Sequence, residues 1–195
     1  MKYFSIDCEM TGLNPENHQI IEFGAVFVDT VKNIKLTFTR IVMHSEYTGE
    51  AYAINMNNRI FDTLAGLEKD DDKKAYMDYW RIVSPGQLVN AFYEFICTCG
   101  IEQNKDKSYT INVAGKNFAS FDQKFLEKLP KWNKKIKISS RILDPGILYV
   151  HWDEDERLPS LGECKKRAGR SEVVSHNALV DAMDVVKLLE EHYNV

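Results

Sequence analysis

The opening stretch of the chain, Lys2 to Met10, carries two acids one residue apart, Asp7 and Glu9. In a β-strand alternate side chains share a face, so Tyr3, Ser5, Asp7 and Glu9 point one way and Phe4, Ile6, Cys8 and Met10 the other. At that spacing, about 6–7 Å between α carbons, two carboxylates resist joint ionisation unless a cation stands between them. Taken alone the pair has a plain alternative, because an edge strand carries acids on its wet face with no function at all. Two further acids weigh against it: Asp122, just after Asn117 at the start of a helix, and Asp181 on the last helix, five residues after His176. In open α/β sheets, sites gather outside the carboxyl ends of strands, where Asp7, Glu9 and the 116–122 turn fall. Four acids in one cleft repel each other strongly without metal, and oxygen ligands select hard cations such as Mg²⁺ or Mn²⁺. The pattern predicts a two-metal site for phosphoryl transfer.

The elements that must position these groups follow from hydrophobic period and punctuation. After a loop at Gly12, Asn14 and Pro15, residues 19–28 read as a long buried strand, and 34–42 alternate apolar and polar as a half-buried one. Three consecutive strands give the sheet an antiparallel start. Residues 44–82 have poor periodicity, interrupted by Glu68 and Asp70 to Asp72; 74–80 suit a short helix whose aromatics pack on the core, and 66–84 read as a lid or insertion. Ser84-Pro85-Gly86-Gln87 is a capping box with proline at the first helical position, opening a helix with Leu88, Ala91, Phe92, Phe95, Ile96 and Cys99 on one face and Gly100 at its end. A strand over 109–114 leads to a helix with Phe121, Phe125, Leu126 and Leu129 on one face, stopped by Pro130. Residues 136–138 and 141–143 form a further strand. A second capping box, Ser160 to Glu163, opens a short helix closed by Gly169. The last helix begins near Asn177 and buries Leu179, Ala182, Met183, Val186 and Leu189. Asp181 lies on the flank of that face, partly buried and in need of a partner, whereas Asp184 beside Lys187 reads as exposed. Neither an internal repeat nor a linker interrupts the chain, so all 195 residues make one α/β domain.

Hydrophobic residues at 44% and charged residues at 28% indicate a folded protein rather than a disordered or membrane one. With no apolar signal-peptide core before Asp7 and no apolar run long enough to span a bilayer, a cytoplasmic site is expected. Cys8, Cys97, Cys99 and Cys164 match neither a zinc nor a redox spacing and read as reduced core residues. The net charge of −4 is unevenly spread, since 116–141 hold eight Lys or Arg against Asp122 and Glu127. Such a basic stripe suits a phosphate backbone, and a solvated Lys-rich surface would look the same.

Three segments, in this order, resemble the DEDD superfamily of 3′-to-5′ exonucleases in its histidine subtype, which includes polymerase proofreading domains, ribonuclease T and oligoribonuclease. They are Asp7-Cys8-Glu9-Met10-Thr11-Gly12-Leu13, Asn117-Phe118-Ala119-Ser120-Phe121-Asp122 and His176-Asn177-Ala178-Leu179-Val180-Asp181. The resemblance implies a ribonuclease H-like three-layer fold, a mixed sheet with antiparallel first three strands and helices on both faces. It further implies hydrolysis of single-stranded DNA or RNA from a free 3′ end with two Mg²⁺ or Mn²⁺ ions. Asp7, Glu9 and Asp181 would ligate metal, Asp122 would support the second ion directly or through water, and His176 would activate the attacking water, a role an imidazole can fill near neutral pH. Met10, Thr11 and Gly12, with Glu9, would hold the terminal 3′ hydroxyl, and Leu13 would wedge against the last base. Asn117 falls within the same substrate set, and Phe118 offers a stacking face unless it simply packs at the start of its helix. Lys116 stands where the family often has histidine. Asp-Cys-Glu-Met looks like RNA-processing members, while 20–28 and His-Asn-Ala-Leu look equally like DNA proofreaders, so both substrates stay open. The competing readings are a ribonuclease-H-like endonuclease and a non-catalytic binding module; the latter would lack an acid or the histidine, and all five are present.

Overall fold

The computed structural model describes residues 1–194. Strands β1 (Lys2–Met10), β2 (Ile20–Asp29) and β3 (Ile34–Val42) run antiparallel, in a register that sets Asp7 opposite Gly24 and Glu9 opposite Glu22. Two short strands join in parallel, β4 (Ile82–Val83) beside β3 and β6 (Val113–Ala114) beside β1, giving the order β4-β3-β2-β1-β6. The mixed sheet with antiparallel first three strands is the one expected.

Alternation along β1 assigns its two faces. Phe4, Ile6, Cys8 and Met10, with Phe23, Phe27 and Phe38, pack against α4 (Pro85–Thr98) through Leu88, Val89, Phe92 and Ile96. Burying each such large apolar side chain contributes roughly 1.5–3 kcal/mol. The capping box holds as read: Ser84 accepts from Gln87 N, and the Gln87 side chain accepts from Ser84 N. On the opposite face Tyr3, Val26 and Val28 pack against α7 (Leu161–Arg167) and α8 (Ala178–Tyr193). Helices on both faces complete three layers.

Gly24 decides how closely α8 approaches. A Cβ there would stand 2.3 Å from the Ala178 carbonyl carbon and the Leu179 nitrogen, so only glycine lets the first turn of α8 rest on β2. Because Gly24 faces Asp7 across the ladder, the same contact brings Asp181 to the acids of β1.

Several elements differ from expectation. The 109–114 strand divides at Asn112, whose carbonyl accepts from Phe4 N and whose side chain donates to the Lys2 carbonyl. Residues Tyr109–Ile111 (β5) therefore pair instead with β7 (Ile136–Ile138) in a separate two-stranded parallel sheet. The 141–143 segment contributes only a bridge from Leu143 to Ala114. Residues 44–82 hold three helices, α1 (Ala51–Met56), α2 (Asn58–Lys69) and α3 (Lys73–Trp80), of which only the last was expected. They cover a third cluster around Ile21, Ile41, Ile60 and Ile82, and Ile82 ties the 66–84 stretch into the sheet. The helix after Asn117 is short, α5 (Asp122–Leu126), and α6 (Trp132–Lys135) follows.

Asp184 is buried rather than exposed, because α7 packs beside α8 and sets the buried Lys165 against it, with Lys187 at 3.2 Å on its other oxygen. Cys97 is exposed, unlike Cys8, Cys99 and Cys164, and all four are free thiols. His192 lies in the last turn of α8. Among the described residues no helix is long and apolar enough to cross a membrane.

Candidate active site

At the carboxyl end of β1 lies an open pocket of about 500 Å³. Asp7 and Glu9 reach it from β1, Asp122 from the first turn of α5, and Asp181 from the first turn of α8. His176 lines the mouth, exposed, in a left-handed backbone conformation (φ 51°). That conformation costs a β-carbon-bearing residue roughly 1–2 kcal/mol, and the turn around it offsets the strain: Ser175 accepts from Asn177 N, and the Asn177 side chain caps α8 at Val180 N. Glu9, His176 and Asp181 bring ligand atoms within 4.8 Å of one another. All five residues singled out for chemistry thus line one cleft.

The electrostatics of the cleft are lopsided. Burial pushes Asp7 well above the usual carboxylate range, and Asp122, Glu9, Asp181 and Glu22 push the same way. Burial raises Glu9 to about 7, helped by Asp181 and Glu22 and opposed by a hydrogen bond from Asn57 and by Arg59. Burial likewise raises Asp122 to about 7, although Cys8 N donates to it at 3.1 Å. Asp181 accepts from the Ser175 amide at 3.2 Å and from its hydroxyl at 2.9 Å. Among the described residues none of these four acids has a Lys or Arg within ion-pair distance. Crowded, buried, uncompensated carboxylates with one imidazole beside them fit a bound cation.

The substrate residues fare unevenly. Leu13 lines the pocket and is 69% exposed. Asn117 lines it too, in a left-handed conformation (φ 56°) held by its amide bonding Asp144 at 2.9 Å. Met10, Thr11 and Gly12 are buried behind it: Met10 packs in the core, the Thr11 amide, carbonyl and hydroxyl bond Gln19, Glu50 and Thr48, and Gly12 abuts the His18 ring. Phe118 presents no stacking face, being fully buried among the core aromatics. The aromatic at the pocket wall is Phe121, which its place in a run of apolar residues at helical spacing had assigned to the core.

Glu22 escaped the sequence reading because it lies inside an apolar strand. It is buried opposite Glu9 and accepts from Arg59 at 2.8 Å and from Ala178 N at 3.0 Å, so it anchors the positive end of α8. Lys116 also lines the pocket, its ammonium bonded to the Asn117 side chain at 2.7 Å and 3.4 Å from Asp144.

Residues 4–189 match the RNase_T family, described as exonuclease. The chain belongs to this exonuclease family. No curated protein matches its sequence. Solved structures share the fold at low identity. Cell-death related nuclease 4 (CRN-4) matches with a TM-score of 0.64 and 12% identity over 99% of this chain and 64% of that one. A full-length 3′-exonuclease gives 0.63 and 15% over 99% and 60%. The zinc-bound Escherichia coli exonuclease I complex with single-stranded DNA gives 0.59 and 15% over 99% and 40%. The chain therefore spans between 40% and 64% of the length of these structures, and the common fold is the ribonuclease H-like one.

Proposed function

We propose that the chain is a metal-dependent exonuclease that removes nucleoside 5′-monophosphates from the 3′ end of single-stranded DNA or RNA. The observation that carries this reading is the meeting of Asp7, Glu9, Asp122, Asp181 and His176 in one cleft whose acids lack cationic partners. Asp7, Glu9, Asp122 and Asp181 would hold two Mg²⁺ or Mn²⁺ ions, which when bound make water more acidic and offset charge on the phosphate and the departing 3′ oxygen. His176, at the mouth, takes the proton from the attacking water. Lys116 adds positive charge beside the phosphate. Leu13 and Phe121 supply apolar contact to the terminal base, and such contact tolerates any base. The single-stranded DNA in the exonuclease I structure supports a single-strand substrate here.

End-labelled DNA and RNA oligomers incubated with Mn²⁺ test the reading. Mononucleotides should appear stepwise from the 3′ end. Equal cleavage of a circular or 3′-blocked strand would replace it with the endonuclease alternative.

A further inference from the structure

The row of side chains that runs from Glu9 to Glu22 continues across the sheet to Ile41, and there a second hollow of about 370 Å³ opens between β3, the end of α3 and the start of α8. It adjoins the acid pocket through residues that neighbour the pocket's own lining. Glu22, opposite Glu9, and Asn177, next to His176, both line it.

The far wall is cationic and aromatic. Arg81 caps α3 in a left-handed conformation (φ 54°) beside Tyr79 and Trp80, which are 78% and 42% exposed with ring centroids 5.2 Å apart. Arg40 lies at the sheet edge, its guanidinium 4.3 Å over the Phe38 ring and donating to the Thr39 carbonyl at 2.7 Å. Burial and the neighbouring Arg81 both oppose its charge. Arg59 in the same hollow is spoken for by Glu22. Asp78 and Glu94 flank Arg40 and Arg81 on the α4 side, but Asp78 pairs with Lys74, and among the described residues neither arginine forms an ion pair. Two adjacent guanidiniums that form no ion pair, next to two exposed rings, have the make-up of a single-strand nucleic-acid track: cations for phosphates, π faces for bases.

We infer that this hollow receives the substrate strand upstream of the acid pocket, with Arg81 and Arg40 on its phosphates and Trp80 and Tyr79 stacked on its bases. The inference rests on the proposed function. It makes affinity depend on strand length, because Arg81 lies outside the residues that line the acid pocket.

Steady-state kinetics on a dinucleotide and on an oligomer of about fifteen nucleotides test it, within the length such surfaces span, using Arg81→Gly, the double variant Arg40→Gln with Arg81→Gly, and Trp80→Ala. Arg81→Gly relieves the left-handed strain, so it should fold at least as well as the parent. For the double variant KM on the long oligomer should rise about tenfold and its logarithmic salt slope should flatten by about 1.4, the value for two lost single-strand phosphate contacts; the dinucleotide should shift less than about twofold. Trp80→Ala should raise KM for the long oligomer with no change in salt slope. Equal shifts on both substrates, or none on either, overturn the inference; in the latter case an acidic protein segment is the better occupant. Should the parent hydrolyse neither substrate, the functional reading falls, and fluorescence anisotropy of the labelled long oligomer judges the hollow by itself: weaker, less salt-dependent binding by the double variant supports it, equal binding overturns it.

Discussion

Asp181 and Asp184 stand three residues apart on α8, both buried, at 3% and 7% exposure. Around Asp184 the chain supplies two cations, Lys165 and Lys187. Around Asp181 it supplies a serine and two repelling acids, Asp7 and Glu9. A buried charge is costly unless paired. The Asp184 site meets that requirement with its own side chains and needs nothing from outside. The Asp181 site leaves it unmet, and that deficit is what the proposed metal would fill. Burial alone therefore does not distinguish a structural acid from a functional one; the partner does.

Exchanging the roles of the two residues in experiment gives the largest effect. Asp181→Asn should lower nuclease activity by several orders of magnitude while the metal-free melting temperature stays level or rises, since one of several repelling charges is gone. Activity within about twofold of the parent would remove Asp181 from the site. Asp184→Asn should do the reverse. Breaking a buried ion pair costs roughly 3–5 kcal/mol, read as a lower urea midpoint, while activity per folded molecule persists.

The pH dependence sharpens the contrast by a somewhat smaller amount. Glu9 titrates at about 7 in the folded chain, above its ordinary 4.5, so the folded state keeps a proton that the unfolded state releases. Its contribution therefore lowers stability as pH rises between those values, by on the order of 3 kcal/mol. In chelator, Glu9→Gln should gain stability relative to the parent at pH 7.5 but not at pH 4.5; a gain independent of pH would contradict the origin assigned to the shift. The smallest effect belongs to Lys187→Ala. Its ammonium is partly solvated, with a side chain 41% exposed, and Lys165 still serves Asp184, so the loss should stay below about 1 kcal/mol by urea unfolding.

The same contrast explains what was legible in the sequence. Asp7 and Glu9 could be paired because strand alternation is a local rule, and the Ser84 and Ser160 helix starts because a capping box is written in four residues. Asp184 could not, because its burial depends on Lys165 in a different helix. Glu22 was hidden by its apolar strand, although its register opposite Glu9 makes it part of the acid group. Phe118 packs in the core, the plainer of its two readings, while Phe121, just outside α5 with ψ −80°, packs against the core on one side and lines the pocket on the other. Helix α2 buries Ile60, Thr63 and Leu67 at helical spacing, a pattern that the acidic run after it obscured, whereas α1 is too short, at six residues, to show a period.

Thermal melting against Mg²⁺ or Mn²⁺ concentration, for the parent, Asp181→Asn and Asp184→Asn, tests the central claim most directly. A cation bound only by the folded chain adds about 2.7 kcal/mol at a hundredfold excess over its Kd. The melting temperatures of the parent and of Asp184→Asn should rise together, with that of Asp181→Asn rising far less. A parent whose melting temperature ignores both metals, or an Asp181→Asn variant that gains as much as the parent, would contradict it.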